Sequence, residues 1–292
     1  MTVVVPSGIG DFSWSYSKLC SLSCKLKVEV AQTGGPLRLA PYAKILPKVR
    51  DVTRRRMSWP ELKAQAIPAS TTLAELDALR QAGEVFIETN SHLESGKHLR
   101  EWLPDLPINH HYDIKIPKDD VESASKLAPS EPFIAIFSSS IATSRAWKAW
   151  QEKEWVRFMD LVRRHLGDIQ FVLVGAPWDL DLGRLIESAA KQANLRLTNL
   201  VSLTTAGMVV HLISLSKYFV AFPSGLGILA DVICAPATMF YANIAPHKGI
   251  MHNWADSESI KTLRYHERIF CPPEEYATWL LHTYKLKDKF NA

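Results

Sequence analysis

The chain has no uninterrupted apolar run of the ~20 residues that a helix needs to cross a bilayer. It also lacks the basic segment and apolar stretch of a secretory leader. Met1-Thr2-Val3-Val4-Val5-Pro6 runs directly into a strand-like triplet of valines. The expected compartment is the cytoplasm, either that of a bacterium, with peripheral placement at the inner membrane as a variant, or that of a host carrying a viral protein. Cysteine is scarce: Cys20, Cys24, Cys234 and Cys271 form no C-x-x-C pair, and no histidines lie at zinc spacing. This pattern argues against a structural zinc site and a dithiol redox centre. Cys20 and Cys24 are four apart on an expected helix and read as small core residues in a reducing compartment. The ten histidines include no H-E-x-x-H, and no G-x-S-x-G occurs, which removes two common hydrolase designs. His110-His111 is expected in a loop. His247, Lys248 and His252 follow the last expected strand and could line a ligand site. A formal net charge of +4 is too small to name a partner.

Its distribution says more. Between Lys18 and Lys63 there are eleven Lys/Arg against Glu29, Asp51 and Glu61, densest over Lys48-Val-Arg50-Asp-Val-Thr-Arg54-Arg55-Arg56. Such a segment suits an anionic partner. A solvated charged loop explains it equally well.

Of the 292 residues, 47% are hydrophobic and 22% charged, a globular composition with room for one large domain or two moderate ones. Short apolar runs alternate with helix-like segments, the pattern of an α/β protein with parallel sheets. Strands are expected at 3–6, 28–31 and 84–88, and helices at 12–26, 73–82 and 92–103. Residues 117–132 are rich in Pro, Ser and charge and read as a linker. The pattern then restarts with strands at 133–137, 171–175, 218–222 and 238–241, and helices at 152–166, 182–193, 205–216 and 227–234. Trp155, Phe158, Met159, Val162 and Leu166 share one helical face, as do Met208, Leu212 and Leu215 with Val209 and Ile213 beside them. The expectation is two Rossmann-like domains, 1–128 and 129–292, facing across a cleft, with ligands beyond the carboxyl ends of the strands.

Four segments could carry chemistry. Pro6-Ser7-Gly8-Ile9-Gly10-Asp11 joins strand to helix, where Gly8 and Gly10 permit a tight turn and close approach. The helix N-terminus there favours an anion. Asp11 also reads as a simple helix cap, and Ser13 breaks any dinucleotide fingerprint. Ser138-Ser139-Ser140 through Arg145, Trp147, Lys148 and Trp150 offers hydroxyls and two cations suited to a pyrophosphate. A polar surface loop is the alternative. Pro223-Ser224-Gly225-Leu226-Gly227 again leads a strand into a helix, either as a phosphate cradle or as a plain tight turn. Asp179-Leu-Asp181 looks like a metal-holding D-x-D but reads better as first-turn acids, one of them within reach of a ribose.

Taken together these segments resemble the ADP-heptose:lipopolysaccharide heptosyltransferase family and its wider glycosyltransferase relatives, across most of the chain. Gly8-Ile9-Gly10-Asp11 is similar to the family's G-x-G-D signature, and the resemblance makes Asp11 the general base. Lys148-Ala-Trp150-Gln-Glu-Lys-Glu-Trp155 resembles its K-x-W segment, which implies donor-phosphate contacts for Lys148, with Arg145, Ser139 and Ser140 beside it. Phe171-Val-Leu-Val-Gly175 resembles the strand and glycine beside the nucleoside, and Ser202–Val220 the segment that begins near the base, with Thr204 as base contact. Ser224 and Gly225 match the family's D-S/T-G-x-x-H motif, with Leu226 next to them. Pro223 and Ile228 replace its Asp and His, which hold the donor's sugar end, and this argues against heptose as the donor sugar. The G-P-T-x-P after the last strand is replaced by Ala242-Asn-Ile-Ala-Pro246.

The resemblance implies a GT-B fold whose C-terminal helix can pack back on the first domain. It implies inverting, metal-independent transfer from a nucleotide-diphosphate sugar, with no cofactor. The anionic acceptor, met by Lys48, Arg50, Arg54, Arg55 and Arg56, would be a bacterial glycan or lipopolysaccharide, or a hydroxymethylated DNA base. A catalytically silent nucleotide-sugar-binding protein and a sugar-nucleotide epimerase are the other readings. The oligomeric state is left open.

Overall fold

The computed structural model describes residues 1–138, 150–222, 224–240, 263–266, 272–283 and 290. It divides into two compact units, one built on Met1–Lys115 and the other beginning at Ile116.

The first unit is a parallel sheet with helices between its strands. Its elements are β1 (Thr2–Pro6), α1 (Ile9–Leu19), β2 (Leu26–Ala31), α2 (Leu39–Ala43), β3 (Val49–Arg55), α3 (Trp59–Gln65), α4 (Leu73–Ala82), β4 (Glu84–Phe86) and α5 (Asn90–Glu94). The sheet order is β3-β2-β1-β4. β1 is interior because Val3, Val4 and Val5 are β-branched and fully buried on both faces, as a central parallel strand requires. Capping boxes at Ser58/Glu61 and Thr72/Glu75 start α3 and α4.

Several details differ from the sequence expectation. The basic segment is not a loop but β3, an edge strand in register with β2 from Lys27↔Asp51 to Ala31↔Arg55. Its alternation is hidden because an edge strand carries charges that block further pairing. The helix expected at 92–103 is only α5 plus a single 3-10 turn at Leu99–Glu101. Helix α1 ends at Leu19, so Cys20 and Cys24 lie beyond it and do not share a helical face. Both thiols are half-buried and Cys234 is exposed.

The second unit holds α6 (Lys118–Leu127), β5 (Phe133–Phe137), α7 (Glu152–Leu166), β6 (Gln170–Leu173), α8 (Leu180–Gln192), β7 (Leu197–Asn199), α9 (Ala206–Leu215), β8 (Tyr218–Ala221), α10 (Gly225–Val232), β9 (Ala237–Phe240), β10 (Leu263–His266) and α11 (Pro273–Thr278). All its strands are parallel, in the order β10-β9-β8-β5-β6-β7. This is the doubly wound dinucleotide-fold order, with β5 as the first strand and β8 as the fourth.

The stretch read as a linker is the helix α6. It packs on α9, and Gly207 makes that possible, since a Cβ there would overlap Asp120 Oδ2 and lie 3.2 Å from its Cγ. On α7, Trp155, Phe158, Met159 and Val162 are buried as the stripe predicts, with Leu166 half-buried. On α9, Met208, Val209, Leu212 and Ile213 are buried, whereas Leu215 is exposed. Helix α11 packs on α7: Tyr276 stacks on Phe158 at 5.3 Å and Arg157 Nε donates to Glu274 Oε1 at 2.6 Å.

Candidate functional site

In a parallel sheet, ligands collect beyond the carboxyl ends of the strands where the winding direction reverses. In the first unit that point lies between β1 and β4. The chain leaving β1 carries Ser7 to Asp11, and the chain leaving β4 carries Glu88 to Asn90.

Asp11 does not cap α1. Gly8 is the N-cap, with no side-chain capping bond, and Asp11 sits in the first turn. The chain at Gly8 has φ −79° and ψ 135°, which any residue adopts. What Gly8 supplies is space: a Cβ there would overlap Asp11 Oδ2 and lie 2.9 Å from its Cγ. The Asp11 carboxyl is therefore folded back over Gly8, and Gly10 occupies the helical position just before it. Burial pushes the Asp11 carboxyl up to about 6; a hydrogen bond from Asn90 pulls it down, and the negative charges of Glu88 and Glu94 push it up. Glu88 is buried, and its two carboxylate oxygens accept from the Ser91 N–H at 3.1 and 3.2 Å. Asn90 Oδ1 is buried and accepts from no group among the described residues. Sequence reasoning found Asp11 but missed Glu88 and Asn90. Their only sequence signal is position, immediately after a strand that the topology places beside β1.

In the second unit the corresponding point lies between β5 and β8. Ser139, Ser140, Arg145 and Lys148 lie outside the described residues, as do Pro223, Cys271, His247, Lys248 and His252. The flanks are described. Trp150 is buried in an aromatic cluster, 5.1 Å from Trp155, 5.8 Å from Phe158 and Tyr276, and 6.2 Å from Phe222. The K-x-W tryptophan is thus a core anchor, and it touches the residue that follows the neighbouring strand β8. Ser224 caps α10, its Oγ accepting from the Gly227 N–H at 3.1 Å. The N–H groups of Gly225 and Leu226 lie in the first turn, without intrahelical acceptors. Gly227 is there for packing: a Cβ would meet Met239 Sδ at 2.6 Å. Ile228 is fully buried, so the position of the family's histidine belongs to the core.

Gly175 follows β6 and its carbonyl accepts from the Ser202 N–H at 3.0 Å, which brings the 200–204 turn against it. Asp179 is buried, and its Oδ2 accepts from the Ala176 N–H at 2.9 Å, closing the turn before α8. Asp181 lies in the first turn of α8, where the helix dipole favours it. Thr204 keeps a buried Oγ1 that bonds to no group among the described residues, and Leu203 beside it is 66% exposed. Among the described residues no cluster of three His, Cys, Asp or Glu is placed to hold a metal ion.

The basic segment is more occupied than its charge count suggests. Arg55 pairs with Glu29 at 3.1 Å and with Glu84, and lies 5.4 Å over the Phe86 ring. Arg54 donates to the Gly35 carbonyl, and Lys48 Nζ donates to the Leu22 carbonyl at 2.9 Å. Lys18 is fully buried, donates to the carbonyls of Arg100 and Leu103 at 3.1 and 3.0 Å, and is lowered to about 8 by burial. Arg50 and Arg56 are exposed and, among the described residues, make no hydrogen bond or ion pair.

No protein-family model matches the sequence, and no curated protein matches it. Solved structures do. The chain is similar to the ADP-heptose lps heptosyltransferase II of E. coli, with a TM-score of 0.61 and 15% identity over 100% of this chain and 99% of that one. It is similar to a glycosyl transferase family 9 protein from Veillonella parvula, with a TM-score of 0.59 and 11% identity over 95% and 88% of the two chains. It is also similar to the E. coli heptosyltransferase WaaC with ADP, with a TM-score of 0.55 and 14% identity over 96% and 99%. At these identities the likeness is one of fold, and the chain has the heptosyltransferase-like GT-B fold, two parallel α/β sheets in one chain.

Proposed function

We propose that the protein is a glycosyltransferase that moves a sugar from a nucleotide-diphosphate sugar to an acceptor hydroxyl, with inversion and without a metal. The observation that carries this reading is the Asp11 carboxyl. It is folded over Gly8 at the switch point of the first sheet and is held near pKa 6 by burial. A carboxylate of that basicity takes a proton from an attacking hydroxyl far better than an ordinary aspartate does, yet is still largely ionised at pH 7. The new C–O bond forms at the anomeric carbon as the bond to the nucleotide diphosphate breaks, and the proton passes to Asp11.

The second unit takes the donor. Lys148, Arg145, Ser139, Ser140 and the first turn of α10 at Ser224, Gly225 and Leu226 meet the diphosphate, whose negative charge grows as it leaves. Gly175 and Thr204 meet the nucleoside. One of the similar solved structures is named as an ADP-heptose lps heptosyltransferase, and another is a heptosyltransferase with ADP. The buried Ile228 supports a donor sugar other than heptose here. For the acceptor, Arg50 and Arg56 remain for phosphate contacts while Lys48, Arg54 and Arg55 are engaged internally. That supports a small anionic glycan or lipid-linked saccharide over a DNA duplex, which needs a broad row of free cations.

The test is a thermal-shift screen with ADP-, UDP-, GDP- and CMP-sugars in the presence of a chelator. It is followed by release of the matching diphosphate by the wild type and by Asp11→Asn. One donor should raise the midpoint, and Asp11→Asn should bind it and not turn it over. A variant with normal turnover would remove Asp11 as the base, and no shift with any donor would remove the donor site.

A further inference from the structure

The least explained group beside Asp11 is Asn90. It stands at the start of α5, after β4, whereas Asp11 stands in α1, after β1. Their contact ties together the two strand ends at the switch point. Among the described residues three side chains act on the Asp11 carboxyl, and of these Asn90 is the neutral one and the hydrogen-bond donor; Glu88 and Glu94 are acids. On its other side the carboxyl lies against Gly8, which has no side chain to orient it. Asn90 Oδ1, fixed by the amide plane once the N–H is given to Asp11, is buried and accepts from no group among the described residues. A buried carbonyl left unpaired is costly, and such groups in native proteins commonly await a ligand or water.

We propose that Asn90 is the positioning residue of the base: its amide N–H orients the Asp11 carboxylate, and its Oδ1 accepts an O–H or N–H of the bound acceptor next to the attacking hydroxyl. This rests on the reading of Asp11 as the base. Asn90 then does two things that an apolar residue there could not. It fixes which carboxylate oxygen faces the incoming hydroxyl, and it favours the ionised form against Glu88 and Glu94. It also favours acceptors with two neighbouring donors, such as the vicinal hydroxyls of a sugar ring.

The test follows the Asp11 carboxyl by 13C NMR in the aspartate-labelled full-length chain, with the signal assigned by its loss in Asp11→Asn. Asn90→Ala should move the Asp11 midpoint upward by about one pH unit, and Asn90→Asp by more, because a third acid then replaces the donor. The low-pH limb of diphosphate release should move with it. kcat should fall about tenfold in Asn90→Ala, while KM for the donor stays unchanged. A merely structural Asn90 would lower the thermal midpoint and leave the titration in place. An unmoved Asp11 midpoint in both variants overturns the proposal. The NMR reading needs no activity, so it separates this failure from that of the base assignment, which Asp11→Asn turnover decides.

Discussion

Replacing Asp11 with asparagine should make the protein more stable and inactive at the same time. The carboxyl is raised from 3.8 to about 6 by burial and by its acidic neighbours, with Asn90 opposing. The folded state therefore holds this proton more tightly than the unfolded chain does. The sign follows: stability from this group is greatest below pH 3.8, falls as the pH rises toward 6, and stays low above that. The difference of about two pH units, at ~1.36 kcal/mol each, amounts to roughly 3 kcal/mol. The amide introduced by Asp11→Asn would keep the shape over Gly8, still accept from Asn90 through its oxygen, and carry no charge. Other carboxylates, such as Glu29 and Asp160, are lowered by their basic partners and act in the opposite direction. The useful quantity is thus the difference between variant and wild type, measured by urea unfolding from about pH 4 to about pH 8. It should be near zero at the acid end and reach about 3 kcal/mol above about pH 6. For 292 residues unfolding together that is about 5 °C in Tm. Over the same range wild-type kcat/KM should rise with pH through about 6 as Asp11 ionises. A stability difference that does not change with pH, or a variant less stable than wild type at the alkaline end, would refute this account of the site.

Gly8→Ala should leave stability within about 1 kcal/mol, since only the end of the Asp11 side chain must move. It should nevertheless cut diphosphate release by about a hundredfold, because a displaced base loses its geometry. Gly227→Ala should do the reverse in kind: its Cβ meets Met239 in a fully buried layer, so a loss of about 1–3 kcal/mol in chemical unfolding is expected. Removing Arg50 and Arg56 together should weaken acceptor binding and flatten its salt dependence with no change in Tm. Arg55→Ala should leave acceptor KM unchanged and cost no more than about 1 kcal/mol.

Much of the fold was legible in single segments. Val3-Val4-Val5 and Phe133-Ile-Ala-Ile-Phe137 announce buried parallel strands because burial on both faces leaves no polar position. The α7 stripe announces its buried face because helical period and core contact coincide there. Gly8-Ile-Gly-Asp11 marked a strand-to-helix turn with a carboxyl at its mouth. Helix α3 was missed despite its Ser58/Glu61 capping box, whereas two other missed elements lack such a local signature. Strand β3 is basic because it is an edge, and α6 reads as a linker because only Ala124 in it is buried and the helix it packs on, α9, lies far along the chain.

The sequence by itself determined the α/β alternation and the switches from strand to helix at Gly8–Asp11 and Ser224–Gly227. Only the tertiary structure decided which charges are free and what each glycine is for. Lys18, Lys48, Arg54 and Arg55 look equivalent to Arg50 and Arg56 in a list of charges, and become structural only when the chain brings carbonyls and carboxylates to them. The basicity of Asp11 arises from burial and from Glu88 and Glu94, with Asn90 opposing; all three are distant in sequence and meet it because β4 lies beside β1. A pKa is a property of surroundings, and surroundings exist only once the sheet has formed.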